Sequence, residues 1–420
     1  MTDVAMETSR VSSPLSTCIA QVAAELARGS ALSVVRLLEY IFEQALVAAA
    51  SDIHINPVEN AVQIRIRVDG ILQEIYRLPA SLQAELVARL KILAGLRTDE
   101  HFAAQDGRFR IARPDGTLVD VRISVVPVYY GENAVLRLLT GTADSFTLTK
   151  LGLTEYNQMA IKTALAKPYG MILVTGPTGS GKTTTLYTLL QQLDAHATAI
   201  ITIEDPIEYA IAGVNQIQVQ PRTGLTFASG LRSMLRQDPN TIMVGEIRDS
   251  ETAGLAVNIS LTGHLVLSTL HTNDAATTLP RLLDMKVEPY LIASTVNVAI
   301  GQRLVRRLCV HCRESFPVSA AVSERVATFA GSNILSMGTM VYRGVGCVQC
   351  NQTGYQGRIG IHEVLTLSPL LRTAVLERAP ARVLRAHAMT EGMVPLVIDG
   401  FEKVKQGLTT IEEIFKLSHE

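Results

Sequence analysis

Gly176-Pro177-Thr178-Gly179-Ser180-Gly181-Lys182-Thr183 follows the apolar run Met171-Ile172-Leu173-Val174 and precedes a helix-compatible stretch from Thr184 to Leu193. Strand, glycine loop and helix in that order predict a phosphate-binding loop. Glycines let the backbone curl so that its N–H groups face an anion, Lys182 reaches the β and γ oxygens of a nucleoside triphosphate, and the Thr183 hydroxyl ligates Mg²⁺. The N-terminus of the following helix adds partial positive charge beneath the phosphates. The expected nucleotide contacts are Gly176, Pro177, Thr178, Gly179, Ser180, Gly181, Lys182, Thr183 and Thr184, and the expected ligand is ATP with Mg²⁺.

Around this loop, strand candidates Met171 to Thr175, Ala199 to Glu204, Thr241 to Val244 and His264 to Thr269 alternate with helical stretches. That alternation predicts a parallel sheet with crossovers, an α/β domain running from Leu151 to Leu308. An open sheet of this kind binds its ligand at the carboxyl ends of the strands, and three segments deliver chemistry to strand ends. Ile200-Ile201-Thr202-Ile203-Glu204-Asp205 ends in acid, and Thr241-Ile242-Met243-Val244-Gly245-Glu246 does so again, with Gly245 where an acidic pair would place its first carboxylate. Glu204 is the candidate to replace that missing acid, since γ-phosphate hydrolysis needs a Mg²⁺ and a carboxylate to orient or deprotonate water. The third segment, from Gly263 to Thr272, carries His264 and His271 at the two ends of a strand, and a neutral imidazole N–H there can sense a γ-phosphate.

Upstream, residues 1–44 read as a polar arm followed by an amphipathic helix between Ala31 and Ala50. Residues 45–140 read as a small α+β domain. Strands Val62 to Val68 and Ile71 to Tyr76 join at Asp69-Gly70, a tight-turn signal. A helix from Pro79 to Gly95 and strands Arg108 to Ala112, Leu118 to Val126 and Ala134 to Leu139 complete a ββαβββ unit. Residues 141–150 read as a linker. Downstream, Cys309-Val310-His311-Cys312 and Cys347-Val348-Gln349-Cys350 are separated by 34 residues, a C-x₂-C pair of pairs that favours tetrahedral Zn²⁺ with a structural role. They define a metal subdomain over 309–363, and 364–420 reads as a helical C-terminal region.

Composition narrows the function classes. A formal net charge of -1 with 18% charged residues gives no electrostatic reason to expect nucleic acid. No apolar stretch reaches bilayer length, the N-terminus carries acid where a secretory signal carries base, and four of the five cysteines sit in the two pairs. The expectation is a cytoplasmic protein.

The ordered segments GPTGSGKTTT, ITIEDPIEY, LRQDPNTIMVGEIRD, GHLVLSTLHTNDA, CVHC and GCVQCNQTGYQGRIGIHE resemble the hexameric secretion ATPases that power type II secretion and type IV pilus assembly. The resemblance runs from about residue 45 to the C-terminus and includes Ser51 to Ile55, Arg65 to Gly70, Gln105 to Arg108 and the Arg122 strand. It implies a P-loop, RecA-like ATPase domain preceded by a small PAS-like domain. It implies that Glu204 positions water, that Glu246 supports Mg²⁺ and the γ-phosphate with the two roles open to exchange, and that His264 and His271 stabilise the active geometry. It implies that Arg65, Arg108 and Arg122 supply charge to the nucleotide, where an added cation is worth orders of magnitude in rate. The partners implied are further copies of the chain in a homohexamer and an inner-membrane platform protein, with pilin-like subunits acted on indirectly at the inner face of the plasma membrane. The cysteines resemble the assembly branch of pilus motors more than the retraction branch. A DNA-uptake or conjugation motor and a nucleotide-switched scaffold are the alternatives. Longer members carry a docking domain ahead of the shared region, which here has about 40 residues before it.

Overall fold

The computed structural model describes residues 14–113, 116–139, 146–331 and 333–419, and these form two compact units divided between Gly141 and Thr142. Residues 141–145 of the linker and the first 13 residues of the arm lie outside the described residues.

Unit 1 opens with helices α1 (Pro14–Leu26) and α2 (Val34–Val47). Ser33 caps α2 by accepting from the Arg36 N–H, and Val34, Leu37, Leu38, Ile41, Phe42 and Ala45 recur at helical spacing on its buried face. The arm is thus a helix where it is described, with Cys18 and Val22 buried. Strands β1 (Asp52–Val58), β2 (Ala61–Val68) and β3 (Ile71–Pro79), helix α3 (Gln83–Leu93), and strands β4 (Gln105–Ala112), β5 (Leu118–Val128) and β6 (Gly131–Leu139) follow. The antiparallel sheet has the order β3-β2-β1-β6-β5-β4. The order βββαβββ corrects the ββαβββ reading, which did not count β1. Strand β2 alternates buried and half-buried residues, so one face packs on the helices and the other is open. At the β2–β3 turn Asp69 and Gly70 both have positive φ, 49° and 86°, as a two-residue hairpin requires.

Unit 2 is an α/β layer structure. Its elements are α4 (Glu155–Leu165), β7 (Gly170–Thr175), α5 (Lys182–Leu190), β8 (Ile200–Glu204), β9 (Asn215–Gln218), α6 (Phe227–Met234), β10 (Thr241–Val244), α7 (Ser250–Leu261), β11 (Leu265–Leu270), α8 (Ala275–Asp284), α9 (Pro289–Thr295) and β12 (Val296–Leu308). Then come β13 (Arg313–Pro317), α10 (Ala320–Ala330), β14 (Met340–Gly344), β15 (Tyr355–Thr366), α11 (Pro369–Leu376), α12 (Ala381–Thr390), α13 (Leu396–Lys405) and α14 (Ile411–Phe415). The seven-stranded sheet has the order β15-β12-β7-β11-β10-β8-β9. Strands β7, β8, β10 and β11 are buried at every position, as strands covered by helices on both faces must be. All neighbours run parallel except β12 and β15, so the sheet is mixed and not purely parallel. Strand β15 also crosses the 309–363 boundary drawn from sequence. It belongs to the main sheet, and the cysteines sit in an insertion between β12 and β15 that carries its own β13–β14 pair. On β15, His362 is fully buried, and its backbone N–H donates to Asp399, which pairs with Lys403.

Candidate functional site

The strand order places the predicted residues along one edge of the sheet. The glycine loop leaves β7, His271 follows the neighbouring β11, Glu246 follows β10 one strand further, and Glu204 ends β8 beyond that. Parallel strands lie about 4.8 Å apart, so β8 is about 14 Å from β7 and β10 about 10 Å.

Within the loop Gly176, Gly179 and Gly181 all have positive φ, at 153°, 80° and 85°, conformations that side chains disfavour. Lys182 opens α5, and its Nζ donates to the Gly176 and Pro177 carbonyls at 2.8 and 3.0 Å, so the ammonium lies over the loop. Burial lowers the Lys182 pKa, with Arg303 adding to the effect and the Glu246 carboxylate opposing it. Thr183 and Thr184 are half-buried beside it, while Thr178 and Gly179 are exposed at the loop's tip.

Glu246 is held by two partners, the Arg248 guanidinium at 2.5 Å and the His271 Nε2 at 3.3 Å. Its side chain keeps 13% exposure. Lys182, Glu246, His271 and Arg248 therefore form one charged cluster at the loop, and Arg248 is a member that sequence reading did not single out.

Glu204 is placed otherwise. It is 2% exposed, and its carboxylate accepts hydrogen bonds from the Tyr187 hydroxyl, from Thr202 Oγ1 at 2.5 Å and from Gln216 Nε2 at 3.1 Å. Tyr187 lies on α5 and stacks edge-on against Tyr209, with centroids 4.7 Å apart. Burial first and the Glu204 carboxylate next push the Tyr187 phenol far above its ordinary pKa, and the same causes take Tyr209 to about 12. Three donors of its own chain thus occupy most of the acceptor sites of this carboxylate. In this structure Glu204 ties β8 to β9 and α5. Gly245 is explained by the same neighbour, because a Cβ there would lie 3.3 Å from the Glu204 Cα and the Ile203 carbonyl oxygen.

His264 lies elsewhere. It precedes β11 at the opposite edge of the sheet, where its carbonyl accepts from the Gly170 N–H and its Nδ1 meets the Ile259 carbonyl at 3.1 Å. Six residues of strand, roughly 20 Å, separate it from the loop. Of the two histidines only His271 reaches the site.

Gln302, on β12, is the second residue missed. It is 1% exposed, donates to the Ser180 carbonyl at 2.8 Å and accepts from Thr185 Oγ1 at 2.6 Å. A glutamine inside the apolar run Val296 to Val305 was its sequence signal, since a buried polar group needs a partner.

In unit 1 the arginines project from the sheet. Arg65 is paired opposite His54 and donates to Asn56 Oδ1 at 2.8 Å. Arg108 stands opposite Arg122, and Arg122 opposite Arg137, whose Nε lies 3.2 Å from Asp52 Oδ1. Arg108, Arg122 and Arg137 form one row that continues through Asp52 to Arg67 on the sheet face away from the helices, and Arg65 stands in the neighbouring row with His54 and Val135.

The four sulfurs of Cys309, Cys312, Cys347 and Cys350 lie within 4.8 Å of one another. Four thiolates bound to one ion at about 2.3 Å in a tetrahedron stand about 3.8 Å apart. Cys309–Cys347, Cys312–Cys350 and Cys347–Cys350 are separated by 3.8, 3.7 and 3.7 Å. The Cys347 and Gly354 N–H groups also donate to Cys350 Sγ, each at 3.2 Å, as suits a sulfur carrying negative charge. These residues fit a metal ion.

A mixed α/β sheet with a glycine loop, a lysine and a glutamate at its carboxyl edge defines a protein built like the known secretion ATPases. A family model described as "Type II/IV secretion system protein" matches residues 28–416, and the chain belongs to that family. It is 45% identical to the type IV pilus assembly ATPase PilB of Myxococcus xanthus over 91% of this chain and 67% of that protein. It is 44% identical to the type II secretion system ATPase E of Vibrio cholerae over 92% of this chain and 76% of that protein. Among solved structures, the pilus retraction motor PilT with bound ADP is similar at TM-score 0.61 and 26% identity, covering 91% of this chain and 97% of that one. The Legionella pneumophila ATPase DotB has the same fold at TM-score 0.65 and 23% identity, over 91% and 95%. No helix among the described residues is long and apolar enough to cross a membrane.

Proposed function

We propose that this chain is the ATP-hydrolysing subunit of a homohexameric motor that drives assembly of a type II secretion pseudopilus or a type IV pilus, working through a platform protein at the inner face of the inner membrane. The observation that carries the chemistry is the cluster at the sheet edge. Lys182 supplies the cation nearest the transferred phosphate, the loop N–H groups cradle the anion, and Glu246 orients and deprotonates water, with His271 holding it in place. Thr183 would hold Mg²⁺ with Glu246 in support, and the ion would supply positive charge to the phosphates. Arg65, Arg108 and Arg122 are assigned to the nucleotide phosphates within the ring, and Zn²⁺ to the four cysteines. The relatives named for pilus assembly and type II secretion support the system assignment.

Steady-state phosphate release tests the reading. Wild type should hydrolyse ATP with a specific activity that rises with protein concentration, and Lys182→Ala should abolish turnover. Mixing an Arg122 variant with the Lys182 variant should recover part of the rate. Concentration-independent activity from a monomer refutes the ring.

A further inference from the structure

The phosphate loop is bracketed by one side chain that belongs to neither the loop nor its flanking elements. Gln302 follows the β12 residue paired with Thr175, the last residue of β7. Its carbonyl oxygen occupies the space in which a Cβ at Gly176 would lie, 2.4 Å away. Its side chain passes beneath the other end of the loop, where a Cβ at Gly181 would stand 3.0 Å from Nε2. A side chain at Gly176 would collide with this backbone carbonyl, and one at Gly181 would press on the amide, in addition to the strain of positive φ at both. The amide then makes two bonds of opposite polarity, Nε2 to the Ser180 carbonyl at 2.8 Å and Oε1 from the Thr185 hydroxyl at 2.6 Å. Both lie in a dry environment, with Gln302 1% and Thr185 0% exposed.

We propose that Gln302 is the positioning residue of the phosphate loop: by fixing the Ser180 carbonyl towards β12 it sets the direction of the Gly181 N–H. In a trans peptide the C=O and the following N–H point to opposite sides. Binding the Ser180 oxygen on the β12 side therefore turns the Gly181 N–H away from the sheet. The Thr185 bond fixes the first turn of α5 to the same amide, so loop and helix N-terminus keep one relative orientation. Lys182 lies between these two attachments, and its tip is placed by them. The inference rests on the phosphate-loop reading above and adds a residue to it.

The test measures MgATP dissociation constants by calorimetric titration, together with KM, kcat and melting temperature. Gln302→Met keeps the volume and removes both bonds, and it should weaken MgATP binding roughly tenfold, the equivalent of about 1.4 kcal/mol. Because ground state and transition state lose the same contact, KM should rise while kcat stays within threefold. Thr185→Val should weaken binding about threefold, Thr185→Ser should restore it, and Gln302→Met/Thr185→Val should be no weaker than Gln302→Met alone. A Gln302→Met protein that melts lower yet binds MgATP within twofold of wild type overturns the inference and leaves a packing role. Should Gln302→Met fail to fold, the Thr185→Val and Thr185→Ser pair decides, and equal affinities for the two refute it. Lys182→Ala serves as the control. Weakened binding there with unchanged binding in the Gln302 and Thr185 variants rejects this inference alone, whereas unchanged binding in Lys182→Ala rejects the phosphate-loop reading and this inference with it.

Discussion

Replacing Glu204 or Glu246 by glutamine separates two carboxylates that look interchangeable in the sequence. Glu204 is 2% exposed and receives hydrogen bonds from Tyr187, Thr202 and Gln216. An amide keeps one oxygen but sets an NH₂ against a donor. The Tyr187 hydroxyl can turn to accept from it, which limits the loss to one charge-assisted hydrogen bond, about 1.5–3 kcal/mol. For a unit of this size each kcal/mol shifts the melting temperature by about 2–4 °C, so Glu204→Gln should melt roughly 3–12 °C lower. Its turnover measured well below that temperature should stay within tenfold of wild type. Glu246 has 13% side-chain exposure and its partners Arg248 and His271 are partly solvated, so Glu246→Gln should cost under about 1 kcal/mol. Loss of its carboxylate as base should lower kcat by about 10²–10⁴. Differential scanning calorimetry and phosphate release at 25 °C on the two variants make the comparison. An unshifted melting temperature with turnover down a hundredfold in Glu204→Gln refutes the assignment, as does near wild-type turnover in Glu246→Gln.

The histidines should divide in the same way: His271→Ala should lower kcat at least tenfold, and His264→Ala should stay within twofold in ATP turnover. Purified protein should contain one Zn²⁺ per chain by elemental analysis, and Cys347→Ser should lose the metal and melt lower while MgATP affinity changes less than threefold. Fully folded, active wild type without metal would reject that site. Burial, followed by the Lys403 charge, brings the His362 pKa down to about 3. With the folded pKa depressed, the unfolded chain takes up the proton first as pH falls. The stability present above pH 6.5 is therefore lost between pH 6.5 and 3, with a slope of at most about 1.4 kcal/mol per pH unit. Urea denaturation of wild type and His362→Leu across pH 7 to 5 should show this slope only in wild type, and parallel profiles would reject it.

Reading by residue type and spacing singled out the loop, the acids, the histidines and the cysteines, because each is a short local pattern. It reached the interior strands of unit 2, whose runs of Ile, Val and Leu admit few other readings. It did not count β1, where Asp52, His54, Asn56 and Pro57 interrupt the apolar pattern although Ile53 and Ile55 are fully buried. The antiparallel partnership of β12 with β15 was also hidden, since it joins residues about sixty positions apart and depends on where the cysteine insertion folds back. Glu204 and Glu246 lie at the ends of adjacent strands with the same apparent chemistry, and Tyr187, Thr202 and Gln216 around Glu204 separate their surroundings. The separation of His264 from the loop follows from strand direction, which two histidines at the ends of one strand leave open until the sheet edge carrying the loop is known.

Strand β12 places Gln302 and Cys309 on one continuous stretch of backbone, seven residues or roughly 23 Å apart. An extended chain in a sheet is stiff along its length, since stretching it means deforming bond angles and breaking the ladder to β15. The module and the phosphate loop share one strand, whose ladder to β15 is interrupted only by the irregularity between Arg306 and Leu308.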